Sequence, residues 1–473
     1  MPGNLIMRPP LPRLVRSGMK ILSLIVGITL TLAGPAQAET VEKTLANGLR
    51  VIVKVDRRAP VVVNQVWYRA GSVDERTGTT GVAHVLEHMM FKGTKDVPAG
   101  EFSKRIAAAG GRENAFTGRD HTAYFQTLQK DRLELAMKLE ADRMTNLTLA
   151  ADEYAKEIQV VMEERRMRTD DSAQALLNEA LMATAYQTSG YHHPVIGWMN
   201  DIKAMTVDDA RRWYADWYTP DNATVVIAGD VDPGQVFAWA EKYFGPIPAR
   251  ALPVRKPQEE TEQHGLRRVM VKAPAELPTV VLAWQAPRIT DPKTDSDPYA
   301  LEILAGVLDG YASARLNQSL VRDQHLATDV GAGYDDISRG PALFSLEATP
   351  AAGHDVKQLE AALKEEIARI VRDGVSEAEL ARVKAQVVAS QVYQQDSLFY
   401  QAMLIGEWNT AGLDYRDRPT RIERLRAVTA DQVKAVATKY LIDDHLSVSV
   451  LDPQPLPKGR PQGFKFMGGG NVR

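Results

Sequence analysis

The stretch His84-Val85-Leu86-Glu87-His88, set between Gly81 and Phe91, places two histidines four residues apart with a glutamate directly before the second. The apolar residues Val85, Leu86, Met89 and Met90 give this stretch a helical pattern with a buried side. On a helix turning about 100° per residue, His88 lies roughly 40° from His84 and Glu87 roughly 60° to the other side. All three therefore project from one face. Two imidazoles one turn apart can hold a single metal ion, and Glu87, not needed as a ligand, is placed to take a proton from a water at that ion. The pattern is the inverted H-x-x-E-H arrangement. Its bland alternative is a solvated helix face, but burying two histidines and an acid without a task is costly.

A site with two histidines and an open position calls for one more protein ligand. The sequence has no cysteine, so a carboxylate is expected. Downstream, Asp152 to Arg168 reads as an acidic helix in which Glu157 and Glu164 are seven apart and share a face. Spacing alone does not choose between Glu164 and Glu163. Further out, Val51-Ile52-Val53 and Val61-Val62-Val63 flank Arg57-Arg58-Ala59-Pro60 and predict two strands joined by a turn. A helix is expected over 100–109, a strand over 122–128 and a long charged helical region over 131–168. The second-half stretch Pro298 to Leu304 has no histidine, so a single metal site is expected. His192-His193, between Tyr191 and Pro194, reads as a loop pair with a structural role.

Strands and helices intersperse without a strict alternation, which predicts an α+β fold. Four prolines between Pro246 and Pro257, then the polar run Gln258 to Gln263, mark a linker over 246–263. It separates a metal-bearing domain, 39–245, from a second domain, 264–459, and a tail with three consecutive glycines follows over 460–473. The halves repeat a pattern: Thr206-Val207-Asp208-Asp209, Trp217-Tyr218 and Val225 return as Thr429-Ala430-Asp431-Gln432, Tyr440-Leu441 and Val448, always 223 residues later. Duplication of one domain is the expected architecture.

The 473 residues carry a formal net charge of −3, with 44% apolar and 25% charged residues. That composition excludes disorder as the main description and offers no basic field for nucleic acid. At the start, Arg8, Arg13, Arg16 and Lys20 precede the apolar run Ile21 to Ala33 and the small-residue site Ala36-Gln37-Ala38, which reads as a cleavable signal peptide over 1–38. An exported, periplasmic protein without stable membrane insertion is expected.

The inverted motif, the pair Glu157 and Glu164, and the separation of 76 positions from His88 to Glu164 resemble the pitrilysin and insulinase family of zinc peptidases, which includes the mitochondrial processing peptidases. Gly71-Ser72, Asp74-Glu75, Phe91-Lys92-Gly93-Thr94, Asn114-Ala115, Asp120, Thr122, Tyr124 and Tyr218-Thr219-Pro220-Asp221-Asn222 share the likeness. The resemblance implies that the fold is two homologous α/β-sandwich domains, that His84, His88 and Glu164 hold one zinc ion, that Glu87 is the general base and that Glu157 orients the site from behind. It also implies that Asn114 and Ala115 form a sheet edge receiving an extended polypeptide substrate; a simple turn is the other reading. One departure matters. Active relatives supply an Arg and, seven residues on, a Tyr from the second half, whereas this sequence has Val321 and, in Leu326-Ala327-Thr328, a threonine. Arg322 and Tyr334 are twelve apart and do not fit. The expectation is a zinc endopeptidase forming the metal-bearing half of a heterodimer, with a homologous non-metal subunit giving Arg and Tyr in trans. A non-catalytic assembly subunit is the main rival, and a zinc hydrolase of another bond ranks behind it.

Overall fold

The β-branched runs become the strands of two mixed sheets. In a computed structural model describing residues 40–256 and 258–456, the first sheet holds β1 (Thr40–Thr44), β2 (Arg50–Val55), β3 (Val61–Tyr68), β4 (Arg112–Thr117), β5 (Thr122–Gln129) and β6 (Ala223–Gly229). The second holds β7 (Arg267–Pro274), β8 (Thr279–Ala286), β9 (Ala327–Tyr334), β10 (Ala342–Pro350) and β11 (Leu446–Gln454). The expected signal peptide and the whole of the expected tail lie outside the described residues. None of the described helices is long and apolar enough to cross a membrane.

Sheet orders are β1-β2-β6-β3-β5-β4 and β7-β11-β8-β10-β9. Without β1 the two are topologically the same: β2 runs parallel to β6 as β7 does to β11, and every other pairing is antiparallel. The repeat has a local cause as well. Helices Val207–Trp217 and Ala430–Tyr440 both start from capping boxes, Thr206 with Asp209 and Thr429 with Gln432, and each feeds the strand beside the parallel partner, β6 or β11. The helix starts differ by 430 − 207 = 223 residues, the offset read in the sequence. The α+β, two-domain expectation is met.

The two strands expected on either side of Arg57-Arg58-Ala59-Pro60 are present as β2 and β3, and β6 inserts between them in the sheet. One expectation needs correction. The helical region over 131–168 is two helices, Leu133–Thr145 and Ala151–Arg165, broken at Leu149, whose φ of 44° no helix accommodates.

Alternation along β3 divides the core. Val62, Val66 and Tyr68 enter the first-half core with helix Val82–Met89, while Val63 and Trp67 point the other way into a core shared with the second half. On that far side lies helix Leu398–Ala411, contributing Ala402, Ile405 and Trp408. Gly406 permits the contact, since a Cβ there would sit 2.0 Å from the Trp67 ring. Charge completes the junction: Arg339, before β10, reaches Asp74 of the first half at 2.7 and 2.8 Å, and Arg255 of the 246–263 segment reaches it at 2.7 Å.

Candidate metal centre

Helix Val82–Met89 sinks Val82, Ala83, Val85, Leu86 and Met89 into the first-half core, which leaves His84, Glu87 and His88 on the remaining face. Its start is fixed by close packing and by hydrogen bonding. Gly81 has φ +90° and would push a Cβ to 2.4 Å from the Ile196 carbonyl oxygen, so glycine is required there. The carboxyl oxygens of buried Glu75, whose pKa burial raises to about 8, accept from the N–H groups of Gly81 and Ala83, both at 2.8 Å, capping the helix from outside its own sequence.

Helix Ala151–Arg165 lies against this face and brings both sequence-predicted acids to it. The Glu164 Oε2 atom is 3.2 Å from His88 Nε2 and 3.8 Å from His84 Nε2. One ligand atom from each of His84, His88 and Glu164 lies within 4.8 Å of the others, the one group of this kind among the described residues. Geometry separates the two adjacent glutamates, since Glu163 points outward to Arg166 at 2.6 Å. Glu157 stands behind the site, where its Oε1 meets His88 Nδ1 at 2.9 Å and its Oε2 meets Lys92 Nζ at 2.5 Å. That contact fixes which ring nitrogen of His88 faces Glu164.

The electrostatics follow from these contacts. Burial and the neighbouring His88 lower the His84 pKa to about 4, keeping it a neutral donor. Burial alone would lower His88 too, but hydrogen bonds to Glu157 and Glu164 win and raise it to about 9. The hydrogen bond to His88 holds Glu164 below the usual carboxylate range, helped by Arg168 at 2.6 Å. For Glu87 burial prevails and its pKa is raised.

Two imidazole nitrogens and one carboxylate oxygen converging from two helices suit the donor preferences of zinc and leave a fourth position free. The buried His84 Nδ1 has no hydrogen-bond partner, so this ring relies on Nε2 and the group it faces. Asn114 and Ala115 lie on β4, the edge of the first sheet, so the segment is a strand and not a turn. The Ala115 N–H is met by its own neighbour's side chain, Asn114 Oδ1, at 2.9 Å. In the second half, Tyr334 donates to the Pro287 carbonyl at 2.5 Å and is committed to the fold, and Arg322 is exposed. His193 is buried with its Nδ1 3.7 Å from Glu75, outside the metal group, and His192 bonds the Ser189 carbonyl at 2.8 Å.

Three contributors escaped the sequence reading as site residues: Lys92, Arg168 and Thr117, the last donating to Glu87 Oε2 at 2.5 Å. The first two stand four residues beyond His88 and Glu164, and Thr117 is two residues past Ala115 on the same strand face. These spacings held the clue.

Comparison with known proteins agrees with the geometry. Residues 50–197 match the family described as Insulinase (Peptidase family M16), and residues 204–387 match the Peptidase M16 inactive domain. The zinc protease PqqE of Helicobacter pylori is 33% identical over 362 residues, covering 75% of this chain and 80% of that protein. An uncharacterized zinc protease of Mycobacterium leprae is 31% identical over 431 residues, covering 90% and 94%. Among solved structures, a protease from Helicobacter pylori superposes with a TM-score of 0.83 at 29% identity, over 88% of this chain and all of that one. The periplasmic protease PqqL from Escherichia coli shares the fold, with a TM-score of 0.76 at 20% identity, over 89% of this chain and 48% of that one. At this identity over three quarters of the sequence, with both halves matched, the chain belongs to the insulinase family of peptidases, family M16.

Proposed function

We propose that this protein is an exported zinc endopeptidase that cleaves extended or unfolded polypeptides. The observation that carries the reading is the convergence of His84, His88 and Glu164, with Glu87 on the same helix face, beside the edge strand β4. His84, His88 and Glu164 would hold the ion, with Glu157 and Lys92 fixing the His88 ring. Zinc bound there supplies Lewis acidity to water and to the scissile carbonyl. Glu87, whose pKa burial raises, takes the proton of the attacking water and hands it to the leaving amine nitrogen. The substrate adds to β4 as a further strand, its main chain replacing the contact between Asn114 and the Ala115 N–H. Selection by backbone requires an unpaired strand, so folded proteins are expected to be poor substrates.

The chain is the metal-bearing subunit of a heterodimer, since Val321 and Thr328 stand where active relatives carry the assisting Arg and Tyr. Periplasmic localisation rests on the leader-like sequence over 1–38. The same departure at 321 and 328 favours the rival reading, a non-catalytic assembly subunit, while the complete donor set favours catalysis.

One experiment separates them. The purified protein is assayed for zinc content and for peptide cleavage, alone and with whatever homologous subunit co-purifies from its host, beside Glu87→Gln. Catalysis requires about one zinc per chain in both forms and a loss of cleavage of at least about 10²-fold in Glu87→Gln. Stoichiometric zinc with no cleavage under any combination would favour the assembly role, and full activity in Glu87→Gln refutes the mechanism.

A further inference from the structure

The mechanism leaves one question open: what holds the Glu87 carboxylate. Glu87 is followed by a ligand and flanked on its helix by buried apolar residues, yet nothing within the helix bonds its carboxylate. Among the described residues its one hydrogen-bond partner is Thr117, whose Oγ1 lies 2.5 Å from Oε2. An ionised carboxylate only accepts, so the threonine proton must lie on this bond. The opposite oxygen, Oε1, has no protein partner, which leaves it available to a water.

Thr117 is the last residue of β4, and its own position is set from two sides. Across the sheet it pairs with Thr122 of β5, while the tight turn that follows is closed by the Gly118 N–H on the His121 carbonyl at 2.8 Å. Within that turn, the Asp120 carboxylate accepts from the Tyr191 hydroxyl at 2.6 Å and from the Arg339 N–H at 2.8 Å, so the second half anchors the turn. Period-two alternation puts Ala115 and Thr117 on one face of β4, the face turned to helix Val82–Met89. A threonine methyl and hydroxyl occupy nearly the volume of valine, the better core residue at a strand end, so the hydroxyl is what this position adds.

We propose that Thr117 is a positioning residue for catalysis: its hydroxyl holds Glu87 Oε2 and thereby aims Oε1 at the reacting water. Because Thr117 is continuous with Asn114 and Ala115, the same strand that takes up the substrate also sets the base. This inference rests on the peptidase reading above for its kinetic consequence, but its structural content is independent of it.

The test uses the zinc-loaded full chain, with any co-purifying subunit present, and the variants Thr117→Val, Thr117→Ser and Thr117→Val combined with Glu87→Gln. Thr117→Val should keep zinc stoichiometry and KM while kcat falls about 10- to 100-fold, the range of a mispositioned catalytic group. Thr117→Ser, which restores the donor without the methyl, should return to within about 3-fold of the parent. In the Glu87→Gln background, Thr117→Val should cost no further activity, since the threonine acts only through the carboxylate. Equal kcat in Thr117→Val and the parent, or an equal loss in Thr117→Ser and Thr117→Val, overturns the assignment. Should Glu87→Gln itself stay fully active, the base assignment of the preceding section fails instead. Crystal structures of the parent, Thr117→Val and Thr117→Ser give a readout that needs no activity. Glu87 rotated away only in the valine variant supports the inference, and an unmoved Glu87 overturns it. Thr117→Ala serves in the same comparisons where the valine variant does not fold.

Discussion

Replacing Arg339 by alanine should loosen the two halves of the molecule, and the structure sets the size of the effect. The guanidinium makes two parallel bonds to the Asp74 carboxylate, 2.7 and 2.8 Å, and a third to the Asp120 carbonyl at 3.0 Å. Side-chain exposures are 11% for Arg339 and 4% for Asp74, so solvent screens the pair little. Removing one partner of such a buried pair leaves an uncompensated charge and costs about 3–5 kcal/mol. Arg255 remains on Asp74 at 2.7 Å and absorbs part of that, which places the expected loss at the lower end, about 3 kcal/mol. Arg255→Ala, at 27% exposure, should cost less, about 1–2 kcal/mol. Denaturant unfolding of parent and variants at pH 7 measures both.

The pH dependence supplies a second check. Burial alone would raise the Asp74 pKa, but the hydrogen bond and charge of Arg339, with Arg255, bring it below its ordinary 3.8. A depressed carboxylate stabilises the fold above its unfolded pKa, and that stabilisation is lost as pH falls through the folded value. The gap between parent and Arg339→Ala should therefore be full at pH 5 and above and narrow below pH 3.8. A gap under about 1 kcal/mol at pH 7, the worth of an exposed pair, would refute the reasoning. So would a gap that stays constant through the acid range.

Lys92→Met removes the cation behind Glu157, and zinc affinity measured by chelator competition should weaken about 10-fold or more, while an unchanged affinity would divorce Lys92 from the site. Gly406→Ala drives a methyl to within 2.0 Å of the Trp67 ring, so stability to denaturant should drop by about 1–3 kcal/mol; wild-type stability would mean that the helix packs elsewhere. A chelator should abolish peptide cleavage and stoichiometric zinc should restore it, and activity that survives verified metal removal would count against the ligand assignment.

What the chain alone decided is local. Helical spacing joined His84, Glu87 and His88, β-branched runs and one alternating stretch named β2, β3 and β5, and Thr206 and Thr429, each with an acid or amide three residues on, opened the repeated pattern. These features need only a few neighbouring residues, and a sequence displays its neighbours openly. Even the Glu157 and Glu164 pair was visible, because seven residues make nearly two turns.

Tertiary structure decided what crosses chain distance. That Glu164 and not Glu163 faces the histidines depends on how helix Ala151–Arg165 rotates against helix Val82–Met89, and packing of Tyr154, Ile158 and Val161 sets that rotation. Insertion of β6 between β2 and β3 joins residues far apart in the chain, for which no local pattern exists. Thr117 bonded to Glu87 across thirty residues, and Arg339 bonded to Asp74 across 265, arise only once two cores have closed on the first sheet. Residue type states which bonds a side chain is able to make; which one it makes is fixed by the packed backbone that carries it there.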